Sequence, residues 1–126
     1  MKSKSPLARS MARLRDLGYL VEKTEHWNAF SRRRVDFLGF ADAIAIRGDE
    51  VLAVQATSGS NVSARVKKLI ALPNVAIWLA SPHRKLVVEG WAKRGPRGKR
   101  KLWSNGLIEI TPDQLTNDTP KERKAQ

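Results

Sequence analysis

A chain of 126 residues, 41% of them hydrophobic, can bury one core and has no room for a second. Lysine and arginine number 24 against 12 aspartates and glutamates, and the net charge of +12 opposes compaction unless a polyanion neutralises it, which points to nucleic acid. The absence of cysteine excludes disulfides and thiolate metal sites, and with no long apolar run or signal-type segment the expectation is a cytoplasmic protein without a membrane partner.

After a Lys/Ser-rich start, the spacing predicts a helix from about Ser5 to Leu17. Ser5 can cap it, Pro6 suits its first position, and Leu7, Met11, Leu14 and Leu17 recur at helical spacing before Gly18 stops it. Tyr19 to about Trp27 reads as a partly exposed strand, and Asn28 to Arg34 as a loop ending in three arginines. Val35 to Ile46 and Val51 to Thr57 are apolar almost throughout and flank Arg47-Gly48-Asp49-Glu50, the pattern of a β-hairpin buried on both faces. Ser60 or Asn61 can cap a second helix with Val62, Val66, Leu69 and Ile70 on one face, ended by Pro73-Asn74. Val75 to Ala80 reads as another buried strand and Leu86 to Ala92 as a further one. Lys93 to Lys101 holds six basic residues in nine, kept in a loop by glycine and proline, and Leu102 to Ile110 returns as a last strand. Residues 112–126 read as a polar, flexible tail, which leaves 1–111 as a single domain. Helix, three strands, helix, strand and a C-terminal β extension make an α/β fold, with helices covering both faces of one sheet.

The hairpin sets polar groups among apolar ones. With its turn centred on Gly48-Asp49, paired residues have numbers that sum to about 97, so Asp42 lies opposite Gln55 and Thr57 shares that face. Buried polar groups need partners. Either these three satisfy one another or cap the following helix, or Asp42 and the carbonyl oxygen of Gln55 bind a hard divalent cation that activates water against a phosphodiester. His26 and His83 are far apart and lack ligand spacing.

This order of elements, with Gly39-Phe40-Ala41-Asp42 on the second strand, Val54-Gln55-Ala56-Thr57 on the third and the Arg65-to-Leu69 helix behind it, resembles the PD-(D/E)XK nuclease superfamily. It looks closest to small phage and archaeal branches, the Holliday-junction resolvases and VRR-type nucleases, over about three-fifths of the chain, Pro6 to Ala80. The resemblance implies a restriction-endonuclease-like core and an endodeoxyribonuclease dependent on Mg²⁺ or Mn²⁺, acting on branched or structured DNA in a bacterial or phage-infected cell. Resolvase-like relatives act as dimers, so a homodimer stays open. By resemblance, Asp42 takes the metal-binding Asp position, Gln55 the Glu/Asp position and Thr57 the lysine position. Gln55 carries no charge, Thr57 cannot supply the positive charge of the motif lysine, and the only acid of the first helix, Asp16, sits near its end. Asp36, on the face of Asp42 by parity, is a further candidate ligand, and Lys67 or Lys68 a relocated lysine.

Arg32, Arg33 and Arg34 precede the hairpin and Arg65, Lys67 and Lys68 follow it, so both groups are candidates for holding phosphates around a cleaved bond. Arg94, Arg97, Lys99, Arg100 and Lys101 give the 93–101 loop the character of a phosphate clamp. Trp78 reads as core, while Trp27, Trp91 and Trp103 either pack or stack on unpaired bases, Trp91 beside the basic loop being the first to test. The alternative is a catalytically inactive DNA- or RNA-binding module on the same scaffold. Gln55 and Thr57 favour that alternative, whereas a buried carboxylate at Asp42 is of no use to a pure binder.

Overall fold

The computed structural model describes residues 4–118. Helix α1 (Pro6–Asp16) starts where Ser5 Oγ accepts from the Ala8 N–H at 3.1 Å, with proline in the first turn, and ends at Gly18, whose φ of +94° suits a residue without a side chain. Strand β1 (Leu20–Lys23) follows, then a separate two-stranded ribbon, β2 (His26–Asn28) and β3 (Arg33–Val35). Strands β4 (Ala43–Arg47) and β5 (Glu50–Ser58) form the central hairpin, and a short helical turn leads into α2 (Val62–Ile70) and α3 (Pro73–Trp78). Strands β6 (Arg84–Arg94) and β7 (Leu102–Ile110) make a long second hairpin, and α4 (Pro112–Asp118) closes the described chain.

The main sheet has the order β1-β4-β5-β6-β7, antiparallel throughout except where β6 lies parallel to β5. The amphipathic face of α1 packs Leu7, Met11 and Leu14 on Val21, Ala43, Ala45, Leu52 and Val54. On the opposite face Leu69, Val75 and Leu79 from α2 and α3 cover Ala53, Leu86, Val88 and Ile110, with Phe40 fully buried and edge-on to Trp78 at 5.9 Å. This is a single mixed α/β domain with helices on both faces of one sheet. The helical crossover presses so closely on β6 that a Cβ on Gly90 would stand 2.3 Å from Val62 Cγ2 and 3.0 Å from Gly59 Cα, which is why a glycine occupies that position.

Helix α1 is also tethered to the β6–β7 hairpin by polar groups. Glu89 is fully buried, and accepts from Arg13 Nε at 2.6 Å and from Asn105 Nδ2 at 2.6 Å. Trp91 Nε1 donates to Ser10 Oγ at 2.9 Å, and the Arg9 guanidinium lies 3.9 Å from the centre of the Trp103 ring.

Five stretches differ from the sequence expectation. Residues 75–80 are not a strand: Pro73 opens α3, and Val75 and Leu79 face the core at helical spacing while Ile77 is exposed, so a continuous apolar run concealed a period of four. The strand that lies parallel to β5 is β6. The expected 19–27 strand breaks after Lys23, because the N–H groups of Thr24 and Glu25 both donate to the Asp42 carbonyl and bend the chain out of the sheet, so 28–34 is part of a ribbon rather than a plain loop. The apolar run from Val35 is interrupted by a tight turn at Leu38 and Gly39, with φ of 56° and 87°, and only Ala43 onward joins the ladder. Residues 112–118 form a helix, and the rest of the expected tail, 119–126, lies outside the described residues. Among the described residues no helix is long and apolar enough to cross a membrane.

Candidate functional site

The central hairpin has the expected register, with pairs from Ala43–Val54 to Arg47–Glu50. Asp42 stands one residue before the first pair. Its N–H donates to the Val54 carbonyl at 2.9 Å, and its Oδ2 accepts from the Ala56 N–H at 3.0 Å. Gln55 points its amide at the Phe40 carbonyl (2.8 Å) and at Asp36 Oδ2 (3.4 Å). Asp36 therefore does reach the site, though by another route than strand parity: the Leu38-Gly39 turn folds the chain back, with Phe37 and Ala41 bridged. Glu25, brought in by the bend after β1, completes the group, and ligand oxygens of Glu25, Asp36 and Asp42 all lie within 4.8 Å of one another.

Thr57 does not join them. It is buried beside Gly90 in the parallel register and shares no hydrogen bond with Asp42 or Gln55. Lys68, expected as a relocated lysine, lies with Arg65 and Lys67 on α2, across the sheet from α1; Lys67 lines a separate groove with Ser63, Ile70 and Ile108. Glu25 and Asp42 line a cleft of about 480 Å³ roofed by the start of α1, and the lysine in that cleft is Lys23, beside Arg34 and Ala56. Lys23 and Glu25 were not singled out from the sequence. The register of β1 on β4, where Lys23 pairs with Ala43, places Lys23, and the bend held by the Asp42 carbonyl places Glu25; no short turn links those two strands to reveal either.

Burial pushes the Asp42 carboxyl up from its ordinary 3.8 to about 8, helped by a hydrogen bond and repulsion from Asp36 and by the charge of Glu25, against a lowering by the Ala56 N–H. Crowded carboxylates of this kind hold a proton between them or are neutralised by a cation. The three carboxylates form an oxygen-only donor set, which fits a hard divalent ion such as Mg²⁺ or Mn²⁺, whereas the Gln55 Nε2 that faces Asp36 is a donor and so supports a ligand rather than serving as one.

Apart from those on α2, the basic residues expected to meet nucleic acid fall into two groups. Arg34 bonds Glu25 at 2.7 Å and borders the cleft, while Arg32 and Arg33 stand exposed on the ribbon next to it. Lys93 and Arg94 extend β6, and Arg97, Lys99, Arg100 and Lys101 lie in the exposed 95–101 loop. Because β6 runs parallel to β5, this loop leaves the sheet at the end where Ala56, Asp42 and Lys23 gather. Of the tryptophans, Trp78 is core, Trp91 is held by Ser10, and Trp103 lies between Arg9 and Lys93, whereas Trp27 is 62% exposed. His26 is exposed on β2, and His83 faces Asp49 at 3.5 Å. No family model, curated protein or solved structure matches the chain.

Proposed function

We propose that the chain is a divalent-cation-dependent endonuclease that hydrolyses phosphodiester bonds of nucleic acid, DNA ahead of RNA. The observation that carries this reading is the convergence of Glu25, Asp36 and Asp42, from three separate segments, at the sheet end from which the basic loop projects. A helix, three antiparallel strands of one sheet, a helical crossover and a parallel fourth strand support the restriction-endonuclease-like reading of the core. Asp42 and Asp36, with Glu25, would hold Mg²⁺ or Mn²⁺, which when bound supplies charge for the phosphate and an activated water. The residues of the cleft then divide the remaining work. Lys23 offers the positive charge that Thr57 lacks, Arg34 borders the phosphate path, and Gln55 orients Asp36 through its amide.

A second reading, a binding module without catalysis, is favoured by two facts: Gln55 is neutral and already bonded to the Phe40 carbonyl, and Thr57 stands apart from the acids. Supercoiled plasmid, single-stranded DNA and a four-way junction, each incubated with Mg²⁺ or Mn²⁺ and with EDTA, separate the two. Metal-dependent nicking that disappears in Asp42→Asn is the expected result. Tight, salt-sensitive binding with no cleavage under either metal would establish the binding module instead. A homodimer, which would present two such clefts to one junction, is read from the mass of the complex in the same samples.

A further inference from the structure

The ribbon formed by β2 and β3 springs from the site itself: Glu25 precedes it and Asp36 follows it, and both belong to the carboxylate group. An isolated two-stranded ribbon is marginal in water, and one of this size would be expected to turn its apolar side chains inward. Here the reverse holds. Trp27 is 62% and Phe30 97% exposed. The turn that carries Phe30 is nevertheless well defined. Asn28 Oδ1 accepts from the N–H groups of Phe30 and Ser31, each at 3.0 Å, and the Arg32 N–H donates to the Asn28 carbonyl at 2.7 Å with Arg32 at a φ of 59°.

We propose that this ribbon is a base-stacking wing that directs the cleft to nucleic acid with unpaired bases. Trp27 pairs across the ribbon with Arg34, so the two side chains share a face at a spacing of about 5 Å. Arg34 borders the cleft and bonds Glu25, so the residue across the ribbon from Trp27 is tied to one of the carboxylates. Arg32 and Arg33 are exposed and have no ion-pair partner among the described residues, which complements a phosphate chain running past the aromatic rings. A base inside a duplex has both faces covered by its neighbours, whereas an unpaired base offers a face to an exposed ring. Arginines alone would serve for a duplex; an unpaired base can stack on the two rings without the unstacking cost that a duplex step would pay. The other tryptophans are less free for this role: Trp78 and Trp91 donate their indole N–H groups within the protein, and the Trp103 ring is covered in part by Arg9 and Lys93.

The inference deepens the nuclease reading by naming its substrate class, and it rests on that reading for the chemistry but not for the binding. The test therefore measures binding in EDTA, by anisotropy of a fluorescein-labelled single-stranded oligonucleotide and of its blunt duplex, on the full chain. The double variant Trp27→Ala/Phe30→Ala is expected to lose affinity for the single strand by roughly 5- to 150-fold per stacked base, with the duplex changed by less than about twofold. Trp27→Phe, which keeps a ring, should restore most of the loss, and an unchanged melting temperature in every variant would exclude unfolding as the cause. Equal losses on both substrates, or no loss on either, overturn the proposal. So does binding to phosphatidylserine vesicles that depends on Phe30 while single-strand binding does not. A chain that cleaves nothing yet prefers single strands through Trp27 would remove the nuclease reading and leave the wing standing.

Discussion

Asp42→Asn tests the electrostatics of the cleft most directly. The buried carboxyl titrates near 8 in the folded chain and near its ordinary 3.8 when unfolded. Between these values the folded state holds a proton that the unfolded state has released, so the contribution of Asp42 to stability is greatest at acid pH and is lost as pH rises towards 8. At about 1.4 kcal/mol per pH unit, the loss between about pH 5 and pH 8 comes to about 4 kcal/mol. Asparagine copies the protonated acid. Its Oδ1 can accept from the Ala56 N–H, its amide can donate to Asp36, and it has no proton to lose. In EDTA the variant should therefore gain on the parent by about 3 to 4 kcal/mol between pH 5 and pH 8, read by urea denaturation at each pH. A divalent ion reverses the order. Saturating Mg²⁺ or Mn²⁺ at pH 8 should stabilise the parent by about 2.7 kcal/mol at a hundredfold excess over Kd and leave the variant unmoved. Two stability curves that run parallel from pH 5 to pH 9, or equal stabilisation of both chains by the metal, would refute the reasoning.

Arg13→Ala leaves Glu89 fully buried with only Asn105 as a partner and should cost about 3 kcal/mol in denaturant unfolding, more than removal of any exposed arginine on the ribbon. Neutralising Arg97, Lys99 and Arg100 together should weaken DNA binding and reduce the slope of log K against log salt by up to about 3, and an unchanged slope would place the footprint elsewhere. Lys23→Ala should lower kcat for cleavage by about 100-fold or more with binding in EDTA nearly unchanged, if Lys23 supplies the charge that Thr57 lacks.

The parts of this molecule fixed by local chemistry are legible in the sequence. Ser5, Pro6 and Gly18 bound α1 as read, and the four-residue turn at Arg47–Glu50 fixes the hairpin register, so Gln55 could be placed near Asp42 before any coordinates. What depends on contacts between distant segments is not legible. Val75–Leu79 is apolar enough for a strand, and only the proline before it and the exposure of Ile77 in the folded chain separate the alternatives. Glu25 is an unremarkable acid until its N–H meets the Asp42 carbonyl, an interaction across 17 positions that no turn rule predicts. Thr57 illustrates the converse. Strand parity puts it on the face of Gln55, yet the carboxylates gather at the end of the ladder, where Asp42 has already left the strand, so shared parity does not become contact.

The charge balance of the cleft carries one further consequence. A chain of net charge +12 draws in a phosphate backbone from every side, while three carboxylates within 4.8 Å of one another repel it at the one place where hydrolysis would occur. Protonation of Asp42 relieves part of that repulsion and a divalent ion relieves more, so cation and nucleic acid should bind with positive coupling. Linkage makes the coupling reciprocal: the factor by which the ion tightens nucleic acid equals the factor by which nucleic acid tightens the ion. Coupling of about 5- to 150-fold is the usual range for two communicating sites. Calcium, used so that the substrate stays intact in a binding titration, should raise single-strand affinity in the parent by a factor in that range. In Asp42→Asn, which keeps every arginine but lacks the buried acid, it should have no such effect. An ion effect of the same size in both chains would show that the cation acts on the nucleic acid alone, and the acids of the cleft would then have to be read as structural.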